Sequence, residues 1–331
     1  MAPLTLLAEL GTIAYLIVLP LLLMMALGFI IQRALGLDMP TLTRLNFYTI
    51  VPGMVYFALV DSELEMSQVG VVVGFSLVVM ALWSLASLAV AAARGIPHDQ
   101  RRAMLMTSIY YNAGNYGLPL QELAFRSVNA SAQAMSLQVF VMVVQNFTGF
   151  TLGILLAAGE VRQGLWKRNL LYIVRFPAIY ALAAAVATIL IREALGQRAP
   201  DVARALAPFW DTVRYTKDGF IILALVTLGA QLANVQRGHN HYPVTTSVIL
   251  RLLVGPTIGF ALIWLLGIGG LTAQVLLIST ATPTSVNCLL LCLQFNNHPD
   301  FVARSVFYST ILSPITVTLV ILLARSGALP A

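Results

Sequence analysis

Apolar runs of about twenty residues, the length that crosses a bilayer as one helix, follow one another along the whole chain. They lie near 10–31, 44–60, 69–93, 103–127, 133–158, 170–191, 217–235, 244–266, 271–295 and 301–323. Runs this numerous cannot all be the core of a soluble domain. In hydrocarbon a backbone must satisfy its own polar groups, which makes helices the spanning form. Charged residues make up only 10% of the 331 positions and hydrophobic ones 59%, against about 25% charged in soluble proteins. The expected fold is therefore an all-α integral membrane protein with ten transmembrane helices, one for each run. The longest polar interval, 192–217, has no strand periodicity and reads as a loop with a short surface helix.

A formal net charge of +6 would suit nucleic acid if the basic side chains clustered on a soluble face. They lie instead in short connections, where Lys and Arg set topology, so no nucleic-acid partner is expected and the lipid bilayer is the solvent. With the N-terminus and C-terminus outside, the inner connections hold Arg33, Arg44, Arg94, Arg101, Arg102, Arg162, Lys167, Arg168, Arg237 and Arg304. Arg126 and Arg325 stay outside, with Asp61, Glu63 and Glu65. The interval before the seventh run dissents, carrying Arg192, Arg198, Arg204 and Arg214, but Glu193, Asp201 and Asp211 offset most of that charge. The expected location is the cell (inner) membrane, multi-pass. The first run has no basic residue before it and is long enough to span, so it reads as a helix and not a cleavable signal.

The fourth run is interrupted by Asn112-Ala113-Gly114-Asn115-Tyr116-Gly117-Leu118-Pro119. Two glycines and a proline remove helix propensity and one backbone donor, so the chain is expected to unwind there. Helical halves are expected at 103–111 and 117–127. A single proline would kink a helix; this density replaces a full turn with peptide groups that need partners. Such backbone survives at membrane depth only when buried in protein or lining a wet cavity, and Asn112, Asn115 and Tyr116 supply matching polar groups. A second break occurs in the ninth run at Thr282-Pro283-Thr284-Ser285.

The pattern repeats with a period near 160 to 167 residues. Pro20 recurs as Pro177. An offset of 167 places Val139-Phe140 on Val306-Phe307, Thr151-Leu152 on Thr318-Leu319, and 154–157 on 321–324. Five spans per repeat is an odd number, so the two halves, 1–159 and 160–331, are expected as inverted repeats. In that orientation the second half-helix of each broken span starts at the midplane. Two helix N-termini then meet, each with roughly half a positive charge and free N–H groups, which favours an anion such as a carboxylate.

At these residues the chain resembles the auxin efflux carrier family, which includes plant auxin exporters and bacterial permeases for malonate, malate and related acids. The stretch from Asn112 to Pro119 resembles its fourth-span signature, and Ala281-Thr-Pro-Thr-Ser-Val-Asn287 its ninth-span crossover. Weaker matches are 46–52, Leu228-Gly229-Ala230, 251–256 and 308–313. The resemblance implies a fold like that of bile acid symporters and sodium/proton antiporters, with broken helices 4 and 9 crossed. It implies that spans 1, 2, 6 and 7 form a scaffold that makes a homodimer, and that spans 3–5 and 8–10 form a moving transport domain of elevator type. The substrate-binding residues it points to are Asn112, Gly114, Asn115, Tyr116 and Pro119 with Pro283, Thr284, Ser285 and Asn287. The long cytoplasmic loop of some plant members has no counterpart here.

Glu122, three residues past Pro119, is a candidate for coupling a proton or sodium ion, since an intramembrane acid is functional by default. Its plain alternative is an ion pair with Arg126 at helical i,i+4 spacing. Gln145 and Asn146, mid-span in the fifth run, either glue helices together or line a cavity, and are further coupling candidates. Arg175 and Arg251 read as headgroup anchors near span ends, and Asp218 with Lys217 as an interfacial pair. Cys288 and Cys292 read as small packing residues. His98, His239, His241 and His298 read as solvated loop residues, so no metal and no cofactor is expected beyond a coupling ion, H+ or Na+. There is no P-loop, and no paired carboxylates or Ser-His set for an enzyme. The expected function is secondary active transport of a small organic anion, a carboxylate or auxin-like acid, by alternating access. The alternative is a membrane sensor that binds the same solute and signals through a partner.

Overall fold

The computed structural model describes residues 3–61, 65–159, 177–196, 201, 204–235 and 242–330. Expectations resting on Glu63, Arg162, Lys167, Arg168, Arg175, Arg198, Arg237, His239, His241 and the start of the sixth run lie outside these residues. The described chain is helical: α1 (Leu6–Leu35), α2 (39–60), α3 (Met66–Ala93), α4 (His98–Ile109), α5 (113–125), α6 (Ser131–Ala158), α7 (Pro177–Leu195), α8 (Ala207–Ala233), α9 (Pro243–Leu266), α10 (Gly270–Thr280), α11 (Val286–Phe295) and α12 (Pro299–Arg325). Among the described residues seven of these, α1, α3, α6, α7, α8, α9 and α12, are long and apolar enough to cross a membrane. The protein is a multi-pass membrane protein.

Prolines inside these helices are absorbed by local widening. Wide turns with i→i+5 geometry occupy Ala14–Val18, Asn46–Ile50, Ala113–Gly117 and Leu250–Val254, each followed two residues later by a proline: Pro20, Pro52, Pro119 and Pro256. A proline lacks the N–H that would bond one turn back and its ring crowds that carbonyl; widening the turn relieves both. Pro314 sits inside α12 without interrupting it.

Lipid tails are as apolar as leucine, so helix pairs here depend on close packing. Gly28 of α1 and Gly229 of α8 show how close. A Cβ on Gly28 would run into the backbone of Val226, and one on Gly229 into the backbone of Met25. The helices pack in pairs: α1 with α8, α2 with α7, α3 with α4, α9 with α10, α5 with α6, and α11 with α12.

The interval expected as a loop with a short surface helix holds such a helix, but it continues into the next span. Residues 207–218 are helical and lead directly through Gly219 into 220–233, making one long helix. Its first half packs on α2, where Trp210 stacks on Tyr56 with ring centroids 5.5 Å apart and planes 7° from parallel. Lys217 pairs across this contact with Asp61 at 3.2 Å, and not with its neighbour Asp218. Charge hid this continuity: the segment is amphipathic, and its apolar side is covered by a partner helix far away in sequence.

Candidate functional site

Helix α4 ends because Tyr110 turns to extended backbone (φ −96°, ψ 111°), and α10 ends at Thr280, four residues ahead of Thr284. The two breaks cross and pair as a short antiparallel bridge between Tyr111 and Thr284. The Asn112 N–H donates to the Pro283 carbonyl at 2.8 Å and the Ser285 N–H to the Tyr110 carbonyl at 3.0 Å. Each break thus supplies the partners the other lacks. Side chains finish the accounting: Gln138 Nε2 donates to Ala113 O (2.9 Å), Thr284 Oγ1 to Thr107 O (2.9 Å), Tyr111 N–H to Gln145 Oε1 (3.3 Å), and Thr284 N–H to Ser309 Oγ (3.1 Å). Buried backbone without such partners would not persist at membrane depth.

The unwound part is shorter and earlier than 112–119. Only 110–112 leaves the helix; Ala113–Gly117 is a wide helical turn, closed by a Gly117 N–H to Asn112 O bond of 2.8 Å. Pro119 follows this wide turn inside α5, and the widening accommodates its missing N–H and its ring. The second break lies where it was expected, and α11 is capped by Ser285, whose hydroxyl accepts from the Asn287 N–H at 3.2 Å.

On one side of the crossing lies a cavity of about 90 Å³. Asn112, Gly114, Asn115, Ser285, Asn287, Gln145 and Asn146 all line it, so the starting turns of α5 and α11 face the same space. Asn46, Thr43 and Gln231 join them from α2 and α8. Among the described residues no lining residue is charged. Asn115 Oδ1 accepts from Asn46 Nδ2, and Asn146 Oδ1 from Asn287 Nδ2, both at 3.2 Å. Several polar groups are left over. Gln145 Nε2, Asn46 Oδ1 and Gln231 Oε1 are buried with no hydrogen-bond partner among the described residues, and the side-chain amide of Asn112, a residue only 6% exposed, forms none there either. An apolar groove of about 230 Å³ continues from the cavity past Phe47, Phe150, Leu290 and Leu291 to Tyr48, Ile154 and Arg44.

Other expected site residues lie off the cavity. Tyr116 is fully buried and its hydroxyl accepts from Ser313 Oγ at 3.0 Å. Pro119 is buried within α5; Pro283 and Thr284 are buried in the crossing itself. Glu122 pairs with Arg126 at 3.5 Å. His298 is not merely solvated: its Nε2 lies 3.1 Å from Asp99 Oδ2. Cys288 lines the cavity with a buried thiol, and Cys292 packs against Met106.

The opposite side of the crossing corrects one expectation outright. Arg251 is no headgroup anchor; it is fully buried. Its guanidinium donates to Ser108 O at 2.9 Å and to Thr280 O, the last carbonyls of α4 and α10. The ring of Trp83 lies 4.2 Å from it and that of Tyr111 5.0 Å. The signal was present: Arg251 is seven residues into an apolar run starting at 244, about 10 Å deep at 1.5 Å per residue. Gln121, Gln138 and Ser279 were also overlooked. They form a fully buried polar cluster in which Gln121 Nε2 donates to Gln138 Oε1 (3.2 Å) and Val275 O (3.0 Å), and Ser279 Oγ to Gln138 Oε1. Gln121 lies two residues past Pro119, so only its silence in the family signature hid it.

Comparison with known proteins points to membrane transport. Residues 165–321, a range that includes the second break, match the family described as membrane transport protein. An uncharacterized transporter of Methanothermobacter thermautotrophicus is 22% identical over 307 residues, covering 91% of this chain and 95% of that relative. These matches make the chain similar to membrane transport proteins over its second half and, at low identity, to a transporter over most of its length, and they indicate a transport protein and not an enzyme.

Proposed function

We propose that the protein is a secondary active transporter of a small organic anion, with the cavity at the crossing as its binding site. The observation that carries this is the lining: two helix N-termini and the unpaired Asn112 amide converge on a space with no charged side chain in it. Free N–H groups and the positive ends of two helix dipoles favour an anion, and an unpaired amide provides a donor for it. The cavity is smaller than the roughly 300–1,000 Å³ of a typical small-molecule site. A carboxylate fits it, and the remainder of the solute extends into the apolar groove, which favours an acid with an apolar body, auxin-like in kind, over a compact dicarboxylate.

The pairing of helices supports two inverted five-span repeats, counting α4–α5 and α10–α11 as one broken span each. Exchanging the halves turns the α1–α8 pair into α7–α2, α3–α4 into α9–α10, and α5–α6 into α11–α12, each of which exists. The α1, α2, α7 and α8 set packs mainly on itself, as a scaffold on which the remaining helices could move in an elevator step, and as the seat of a homodimer. Excess Arg at the ends of the inner connections favours a cell membrane location with both termini outside.

The test is binding by purified protein, with indole-3-acetate and malonate as probes. Saturable binding of at least one is expected, weakened at least tenfold in Asn112→Ala, as loss of a buried hydrogen bond to a charged group of about 1.5–3 kcal/mol implies, with the gel-filtration profile unchanged. Equal binding by Asn112→Ala would show that the site is elsewhere.

A further inference from the structure

We propose that Arg251, which touches no solute, sets the sign of charge the cavity accepts. This rests on the cavity being the solute site and deepens that reading. Each C-terminal end of α4 and α10 carries roughly half a negative charge, and both ends meet at the Arg251 guanidinium through Ser108 O and Thr280 O. Among the described residues Arg251 has no carboxylate partner, and its Nε forms no hydrogen bond. Its full charge therefore cancels the negative ends of the crossed helices, while among the described residues no carboxylate lines the cavity at the positive ones. Those ends, at Gly114–Asn115 and Val286–Asn287, line the cavity. Tyr111 connects the two sides: its ring covers the guanidinium, and the residue lines the cavity.

The identity of the side chain follows. A planar guanidinium can lie against the Trp83 and Tyr111 rings while forking to two carbonyls, and it stays protonated when buried; an ammonium does the first poorly and loses its proton more readily. The result is a positive potential in a cavity that contains no positive side chain. An anion can then be held and released without a permanent ion pair to break.

A cysteine at Asn287→Cys, in a chain carrying Cys288→Ala and Cys292→Ala, reports this potential directly. Its modification rates are measured with an anionic and a cationic methanethiosulfonate reagent, and their ratio is compared with that for a free thiol in solution. The account expects the anionic reagent to be favoured over the free-thiol ratio. It expects Arg251→Gln to lower the ratio at least about tenfold, the order one unit charge produces over roughly 10 Å at an effective dielectric constant of about 20, and Arg251→Lys to restore most of it. A misfolded variant changes both rates together; the ratio responds to charge. If Arg251→Gln fails to fold, the parent ratio still decides: no preference for the anionic reagent overturns the proposal, as does a folded Arg251→Gln with an unchanged ratio. Should organic acids fail to bind while the ratio follows Arg251, the solute reading falls and the role of Arg251 stands. Should acids bind through Asn112 while the ratio ignores Arg251, only the latter falls.

Discussion

Gln138 shows what a single residue contributes to the crossing. Its Nε2 donates to Ala113 O, in the first turn of α5, while its Oε1 accepts from Gln121 and Ser279. Gln138→Leu would leave the Ala113 carbonyl without its side-chain donor, at about 1–3 kcal/mol for a buried group, and would remove the acceptor shared by Gln121 and Ser279. A clear fall in the melting temperature of the purified protein is expected, larger than for Asn146→Leu at the cavity edge; equal shifts would contradict it. Glu122 is expected to behave in the opposite way. It is paired at i,i+4 with a largely exposed Arg126 and lies off the cavity, and such pairs contribute under about 1 kcal/mol. Glu122→Gln should leave solute affinity within about twofold and leave pH-driven uptake intact; loss of that uptake would return Glu122 to the mechanism. The asparagines of the crossing were legible because they stand beside glycine and proline in an apolar run. The depth of Arg251 was legible too, but its partners and those of Gln138 were not, because nothing beside them in sequence marks what they bond to 29 or 25 residues away.

At the scale of elements, the runs of apolar residues located the helices well and their ends less well. The fourth-span break shifted because a wide turn can absorb Pro119, an adjustment that propensity alone does not distinguish from unwinding. Segment 207–218 is the short surface helix expected in that interval, but its continuity with the next span was not legible, because its charges resemble a loop and its partner, α2, is remote in sequence. Glycines divide by what surrounds them. Gly28 and Gly229 hold α1 against α8 at backbone contact, whereas Gly11 in the same α1 has nothing nearby. Gly28→Ala and Gly229→Ala are each expected to lower thermal stability by about 1–3 kcal/mol through overpacking. Gly11→Ala should be neutral or slightly stabilising, by up to about 1 kcal/mol from helix propensity. Thermal unfolding of the three variants in one detergent checks the order, and a stable Gly229→Ala would argue against the close α1–α8 contact.

For the whole molecule, the crossing divides charge as well as space. Positive helix ends and unpaired amides face the cavity, and negative ends face a buried arginine. Under the proposed function the solute arrives charged and leaves by motion of the helices around it, and it is this movement of solute that would distinguish a transporter from a sensor. The direct measurement is flux: purified protein in liposomes without partner proteins, given labelled indole-3-acetate under imposed proton, sodium or voltage gradients. The account expects saturable uptake or exchange above protein-free liposomes, sharply reduced by Asn112→Ala, with the gradient that drives accumulation identifying the coupling ion. Saturable binding with no flux under any gradient would contradict it and leave the protein a sensor.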